Sequence, residues 1–156
     1  MTKTTTQTPP GLPEGEESQM HQVFLGLGTN LGNLHDNLEQ AIRLIGERVG
    51  AVVRCSSFME SEPWGFKSEN CFLNAVVLCE TELPPRQVLQ QTQQIERAMG
   101  RREKSVGRQY SDRLIDIDIL LYDDLRIDEP DLVIPHPLMQ QRDFVMRPLE
   151  EIKKGL

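Results

Sequence analysis

Apolar and polar positions alternate along this chain with two periods, and the switches between them mark its elements. Val23 to Gly28 is a short apolar run closed by glycine, which predicts a buried strand. Leu34, Leu38, Ala41, Ile42 and Ile45 then recur at helical spacing, with Asn33 where an N-cap belongs and Gly50 beyond the end. Ala51 to Phe58 predicts a second strand, Glu60 to Cys71 a loop, and Phe72 to Cys79 a strong third strand. Pro84 and Pro85 open a second helix whose stripe is Val88, Leu89, Ile95, Ala98 and Met99, and Gly100 stops it. The run Ile115-Asp116-Ile117-Asp118-Ile119-Leu120-Leu121 predicts a further strand. Beyond Tyr122 the pattern is less regular, with a Pro-His-Pro turn and short helices expected near the end. The order β-α-β-β-α-β is that of ferredoxin-like α+β domains. It predicts an antiparallel sheet with two helices on one face, the other face open or under loops, and added C-terminal elements.

Composition adjusts this picture at the N-terminus. Before residue 21 the chain is rich in Thr, Pro, Gly and Glu, which predicts a disordered tail over 1–20 and a single domain over 21–156. The tail has neither the apolar stretch of a signal peptide nor the arginines of a transit peptide. With 17 basic and 24 acidic residues the net charge is −7, which argues against a general nucleic-acid or anionic-membrane binder. Cys55, Cys71 and Cys79 form no Cys-x-x-Cys pair and only three His are present, which argues against zinc. Reduced thiols fit a cytoplasmic protein. A monomer acting on small molecules is the expectation.

The chemistry concentrates in four places. Asp116 and Asp118 are two apart in a strand, so both carboxylates point to one face. Either that face is simply solvated, or a cation relieves the repulsion. Hard carboxylate oxygens suit Mg²⁺, which keeps waters and phosphate oxygens as its other ligands. Residues 101–113 carry Arg101, Arg102, Lys104, Arg108 and Arg113 against Glu103 and Asp112, five cations less two anions, or +3 in an acidic chain. That loop is either ordinary solvated surface or a polyphosphate site. In Phe72-Leu73-Asn74 the ring and the amide share a strand face. They suit a flat heterocycle that stacks and hydrogen-bonds, unless neighbouring backbone satisfies the amide. Pro135-His136-Pro137 with Arg142 and Phe144 offers a structural histidine or a phosphate or ribose contact. Trp64 is a lid anchor or a core residue. Gly26-Leu27-Gly28-Thr29-Asn30-Leu31-Gly32 matches no phosphate-binding fingerprint and reads most simply as a tight strand-to-helix turn.

Together these motifs resemble a known family. Gly28-Thr29-Asn30-Leu31, Pro63-Trp64-Gly65, Phe72-Leu73-Asn74-Ala75, Arg113-x-x-Asp116-Ile117-Asp118-Ile119-Leu120 and Pro135-His136-Pro137 stand in the order seen in the 6-hydroxymethyl-7,8-dihydropterin pyrophosphokinases. The resemblance runs from about Val23 to Leu149. It implies a ferredoxin-like fold and transfer of pyrophosphate from ATP to the pterin hydroxymethyl group, with release of AMP. It implies that Asp116 and Asp118 hold two Mg²⁺ ions and act in catalysis with Arg101 and Arg113. Phe72, Asn74, Phe144 and Trp64 would bind the pterin. Gln93, Glu96, Arg101, Arg113, His136 and Arg142 would surround the nucleotide, with Ile119 and Leu132 near the adenine. The chain departs from the family pattern at Ser111-Asp112, where many members carry Gly-Pro, and at Glu103, where a second Arg is common. Two other classes fit parts of the pattern: a different Mg²⁺-dependent phosphoryl or nucleotidyl transferase, and a non-catalytic ferredoxin-like ligand-binding module.

Overall fold

The computed structural model describes residues 20–62, 71–100 and 114–154. The elements run β1 (His21–Thr29), α1 (Leu34–Arg48), β2 (Ala51–Cys55), β3 (Met59–Ser61), β4 (Phe72–Thr81), α2 (Pro85–Ala98), β5 (Asp116–Tyr122), β6 (Ile127–Glu129), β7 (Leu132–Ile134) and α3 (Asp143–Lys153), with a 3-10 turn at Met139–Gln141 before α3. The main sheet is antiparallel and its hydrogen-bonded order is β2-β4-β1-β5, with β3 also pairing to β4. β6 and β7 form a separate hairpin.

The alternation of the strands sorts two cores. Val23, Leu25 and Leu27 of β1, Ala75, Val77 and Cys79 of β4, and Ile117 and Ile119 of β5 pack against Leu38, Ala41 and Ile45 of α1 and Val88 and Ile95 of α2. Each such aliphatic side chain contributes about 1.5–3 kcal/mol on leaving water. The helices start where their caps allow: Asn33 accepts a hydrogen bond from the Asp36 amide at 3.1 Å, and Pro85 opens α2 at a position whose N–H would have no helical partner.

The opposite face is not left to loops. α3 lays Val145, Leu149 and Ile152 on Phe24, Val76, Leu78 and Leu120. It is tied down by Arg54, which donates to the Ile152 and Lys154 carbonyls at 3.0 and 2.8 Å. Glu151 accepts from the Ser57 amide and hydroxyl at 3.0 and 2.8 Å.

The strand expected over Ala51–Phe58 ends at Cys55, and a further short strand, β3, follows from Met59 into the start of the expected loop. The ladder breaks at Ser56, a buried hydroxyl that takes the Val76 amide at 2.9 Å, and resumes on β4 at Met59. The glycine run is likewise not one turn. Gly26 and Gly28 lie inside β1, and only Gly32, with φ +78°, makes the turn into α1.

Candidate active site

Two rows of residues cross the middle of the sheet. In one, Asn74 of β4, Gly28 of β1 and Asp116 of β5 are register partners. In the next, Val76, Gly26 and Asp118 are partners. The alternation puts all six on the face opposite α1 and α2. Along this face β1 presents Phe24 under α3 and then two glycines, so the sheet is covered where a ring stands and open where side chains are missing. A pocket occupies the opening, lined by Gly26, Gly28, Phe72, Asn74, Asp116 and Asp118 among others. Asn74 and Asp116 lie two strand spacings apart, about 10 Å, room for one flat bicyclic ring over the glycine floor.

The far wall comes from the C-terminal segment. The His136 amide donates to the Leu120 carbonyl at 3.0 Å, which fastens the segment after β7 to β5. The Leu138 amide donates to His136 Nδ1 at 3.2 Å. An amide N–H can only donate, so Nδ1 accepts, and the neutral ring carries its proton on Nε2. That nitrogen faces Asp118 Oδ2 at 3.9 Å. Burial first, then the charge of Arg142, hold the His136 pKa below its ordinary 6.5, against an opposing pull from Asp116. The ring is therefore a neutral N–H donor near pH 7. Arg142 is buried, and its guanidinium sits 5.7 Å from the Phe144 ring centre. Arg142 and Phe144 both line the pocket.

The Asp strand is held from below and at its start. β5 is a sheet edge, and the Ile117 amide, between the two aspartates, donates to buried Glu96 Oε2 at 2.7 Å. Thr29, fully buried, donates to the Leu114 carbonyl, and Asn37 Nδ2 holds Thr29 Oγ1 at 3.0 Å. The Gly-Thr-Asn motif thus ties the end of β1 to the entry of β5.

The structure gathers Phe72, Asn74, Asp116, Asp118, His136, Arg142 and Phe144 around one pocket. It does not gather the rest. Gln93 is exposed on α2, and Ile119 and Leu132 are buried in the helix-side core at 6% and 5% exposure. Trp64, Arg101 and Arg113, with the basic loop, lie outside the described residues. Sequence reasoning missed Gly26, Gly28 and Glu62 as pocket residues. The two glycines continue the Phe24 face at a spacing of two, but only the cross-strand register separates a floor from a turn.

An antiparallel α+β domain with paired carboxylates beside an aromatic–amide pair is, by fold and site, a domain for a small polar ligand. The family described as 7,8-dihydro-6-hydroxymethylpterin-pyrophosphokinase (HPPK) matches residues 24–154, and the chain belongs to this family of ATP-dependent pyrophosphokinases of folate biosynthesis. It is 50% identical over 135 residues to the 2-amino-4-hydroxy-6-hydroxymethyldihydropteridine pyrophosphokinase of Porphyromonas gingivalis, covering 86% of this chain and 92% of that one. The enzyme of the same description from Aquifex aeolicus is 38% identical over 137 residues, 88% of this chain and 83% of that one. Among solved structures, Plasmodium falciparum HPPK-DHPS A437G with SDX-DHP superposes with a TM-score of 0.71 at 19% identity, over 88% of this chain and 43% of that one. That likeness concerns the fold alone.

Proposed function

We propose that this chain transfers pyrophosphate from ATP to the hydroxymethyl group of 6-hydroxymethyl-7,8-dihydropterin across the glycine-floored pocket. The register carries the reading. It sets the heterocycle-binding pair, Phe72 and Asn74, and the acidic pair, Asp116 and Asp118, on one face with only Gly26 and Gly28 between them. The strand order β2-β4-β1-β5, with α1 and α2 on one face, supports the ferredoxin-like reading of the fold. The protein is proposed to act as a cytoplasmic monomer with no nucleic-acid partner. Among the described residues no helix is long and apolar enough to cross a membrane.

Asp116 and Asp118 fit a pair of Mg²⁺ ions: two oxygen donors on one face, open to the pocket and next to a neutral His136 that brings no competing charge. Ions held there would neutralise polyphosphate charge and hold phosphate oxygens. The chain's own groups do the rest. Phe72 and Phe144 stack on the pterin and Asn74 hydrogen-bonds its edge, with Trp64 as a further contact. Arg142 and His136 Nε2–H meet the polyphosphate, joined by Arg101 and Arg113. The nucleotide extends along the outer edge of β5, past Gln93 and Glu96, with its adenine at Ile119 and Leu132. The pterin hydroxyl oxygen bonds to the β-phosphorus of ATP as its proton passes to Asp116, the bond from that phosphorus to the bridging α-phosphate oxygen breaks, and AMP leaves. Placing the two in line lowers the barrier by removing the entropy cost of bringing them together.

Nucleotide product analysis tests this. ATP, Mg²⁺ and the dihydropterin should give pterin-dependent AMP and the pterin pyrophosphate. Asp116→Ala and Asp118→Ala should each cut turnover by about 10²–10³-fold, the scale of removing one group that offsets developing charge, without loss of fold. ADP as the product, or wild-type turnover in either variant, sinks the assignment.

A further inference from the structure

We infer that Ser61 is a positioning residue for pterin recognition: with the Met59 carbonyl it locks the Asn74 amide so that its oxygen, not its nitrogen, faces the pocket. The inference rests on the pyrophosphokinase reading of the site and concerns how that site selects its heterocycle.

Asn74 Nδ2 donates to the Met59 carbonyl at 2.9 Å and to Ser61 Oγ at 2.8 Å. An amide nitrogen has two hydrogens, and both are committed within the protein. The Met59 carbonyl can only accept, so the amide cannot turn over without setting oxygen against oxygen. Oδ1 is thereby directed over β1, where a Cβ built on Gly28 would lie 3.2 Å from it. Asn74 is buried, with 4% of its surface exposed, so an unlocked amide would have to find new partners inside the protein. Met59 pairs with Asn74 and Ser61 with Phe72, so β3 braces the amide and lies beside the stacking ring. The consequence is a selective contact: Asn74 presents an acceptor alone, and the ligand edge that meets it must carry an N–H donor. An amide free to rotate would accept either polarity.

Thr and Val at position 61 differ only in the hydroxyl against a methyl. Ser61→Thr keeps the second acceptor for Nδ2, while Ser61→Val removes it. Binding of 6-hydroxymethyl-7,8-dihydropterin to the full chain, followed by titration, should be near wild type for Ser61→Thr and about fivefold weaker for Ser61→Val, the scale of one hydrogen bond. ATP affinity should match between the two. Thermal melting is recorded alongside, and Ser61→Ala replaces Ser61→Val if the latter does not fold. Equal pterin affinity in the two variants overturns the inference, as does an equal loss of ATP affinity. Wild-type protein that neither binds the pterin nor releases AMP would instead overturn the functional reading.

Discussion

Gly28 shows what one missing side chain does for this site. Its partners across the ladder are Asn74 and Asp116, and a Cβ there would lie 3.2 Å from Asn74 Oδ1 and 3.5 Å from the Phe72 ring. Its backbone is not in the left-handed region, so alanine meets no backbone strain and gains about 0.5–1 kcal/mol over a strand glycine, but the 3.2 Å approach to the held Asn74 amide is tighter than ordinary contact and offsets that gain. Gly28→Ala is therefore expected to raise the pterin KM about tenfold, equivalent to about 1.4 kcal/mol, while its melting temperature stays close to that of wild type. Steady-state kinetics at saturating ATP beside a melting curve check this, and an unchanged pterin KM would refute the floor. The residues legible in the sequence were those whose type breaks the local pattern: two acids in an aliphatic strand, an amide in another, a histidine between prolines. A glycine breaks no pattern that separates a turn from a floor until its cross-strand partners are known.

α3 carries the same lesson at the level of an element. Pro148 lies within it and cannot donate to the Phe144 carbonyl, so the sequence announces only short helices there. The structure keeps one helix of 11 residues because its buried face and its end are both held from outside. Leu149, 1% exposed, fills the space over Phe24 and Val76, and Arg54 meets the carbonyls at the helix end, where a positive charge is favoured. Leu149→Ala should cost about 2–5 kcal/mol and Arg54→Ala about 1 kcal/mol, read as shifts of the urea midpoint. Because Arg142 and Phe144 open this helix and line the pocket, the Leu149 variant should also lose pterin affinity. A Leu149→Ala midpoint within error of wild type would show that α3 does not secure this face. The main helices and strands were legible because their periods are clean. β3 was not, since three residues cannot display a period.

Across the whole molecule the sheet separates chemistry from support, and the supporting side sets the alkaline limit. Cys79 and Tyr122 are sealed in the helix-side core, and the Tyr122 hydroxyl donates to the Leu83 carbonyl at 2.6 Å. Burial, then the charge of Glu80, raises the Cys79 thiol from 9.0 to about 12. Burial, then Asp123, raises the Tyr122 phenol from 10.0 to about 12. In the unfolded chain both groups lose their protons at the ordinary values, while the folded chain keeps them. Below pH 9.0 the two states hold the same protons at these sites, and the contribution to stability is complete. Between there and about 12 the unfolded state binds fewer protons, so stability falls as pH rises. Melting temperature should accordingly hold steady up to pH 9.0 and decline above it. Cys79→Val, which keeps the apolar volume and removes the proton, should lessen the decline between 9.0 and 10.0, where the thiol titrates ahead of the phenol. Thermal unfolding of both proteins across that interval decides the matter, since identical slopes would mean that the thiol is not held neutral by the fold.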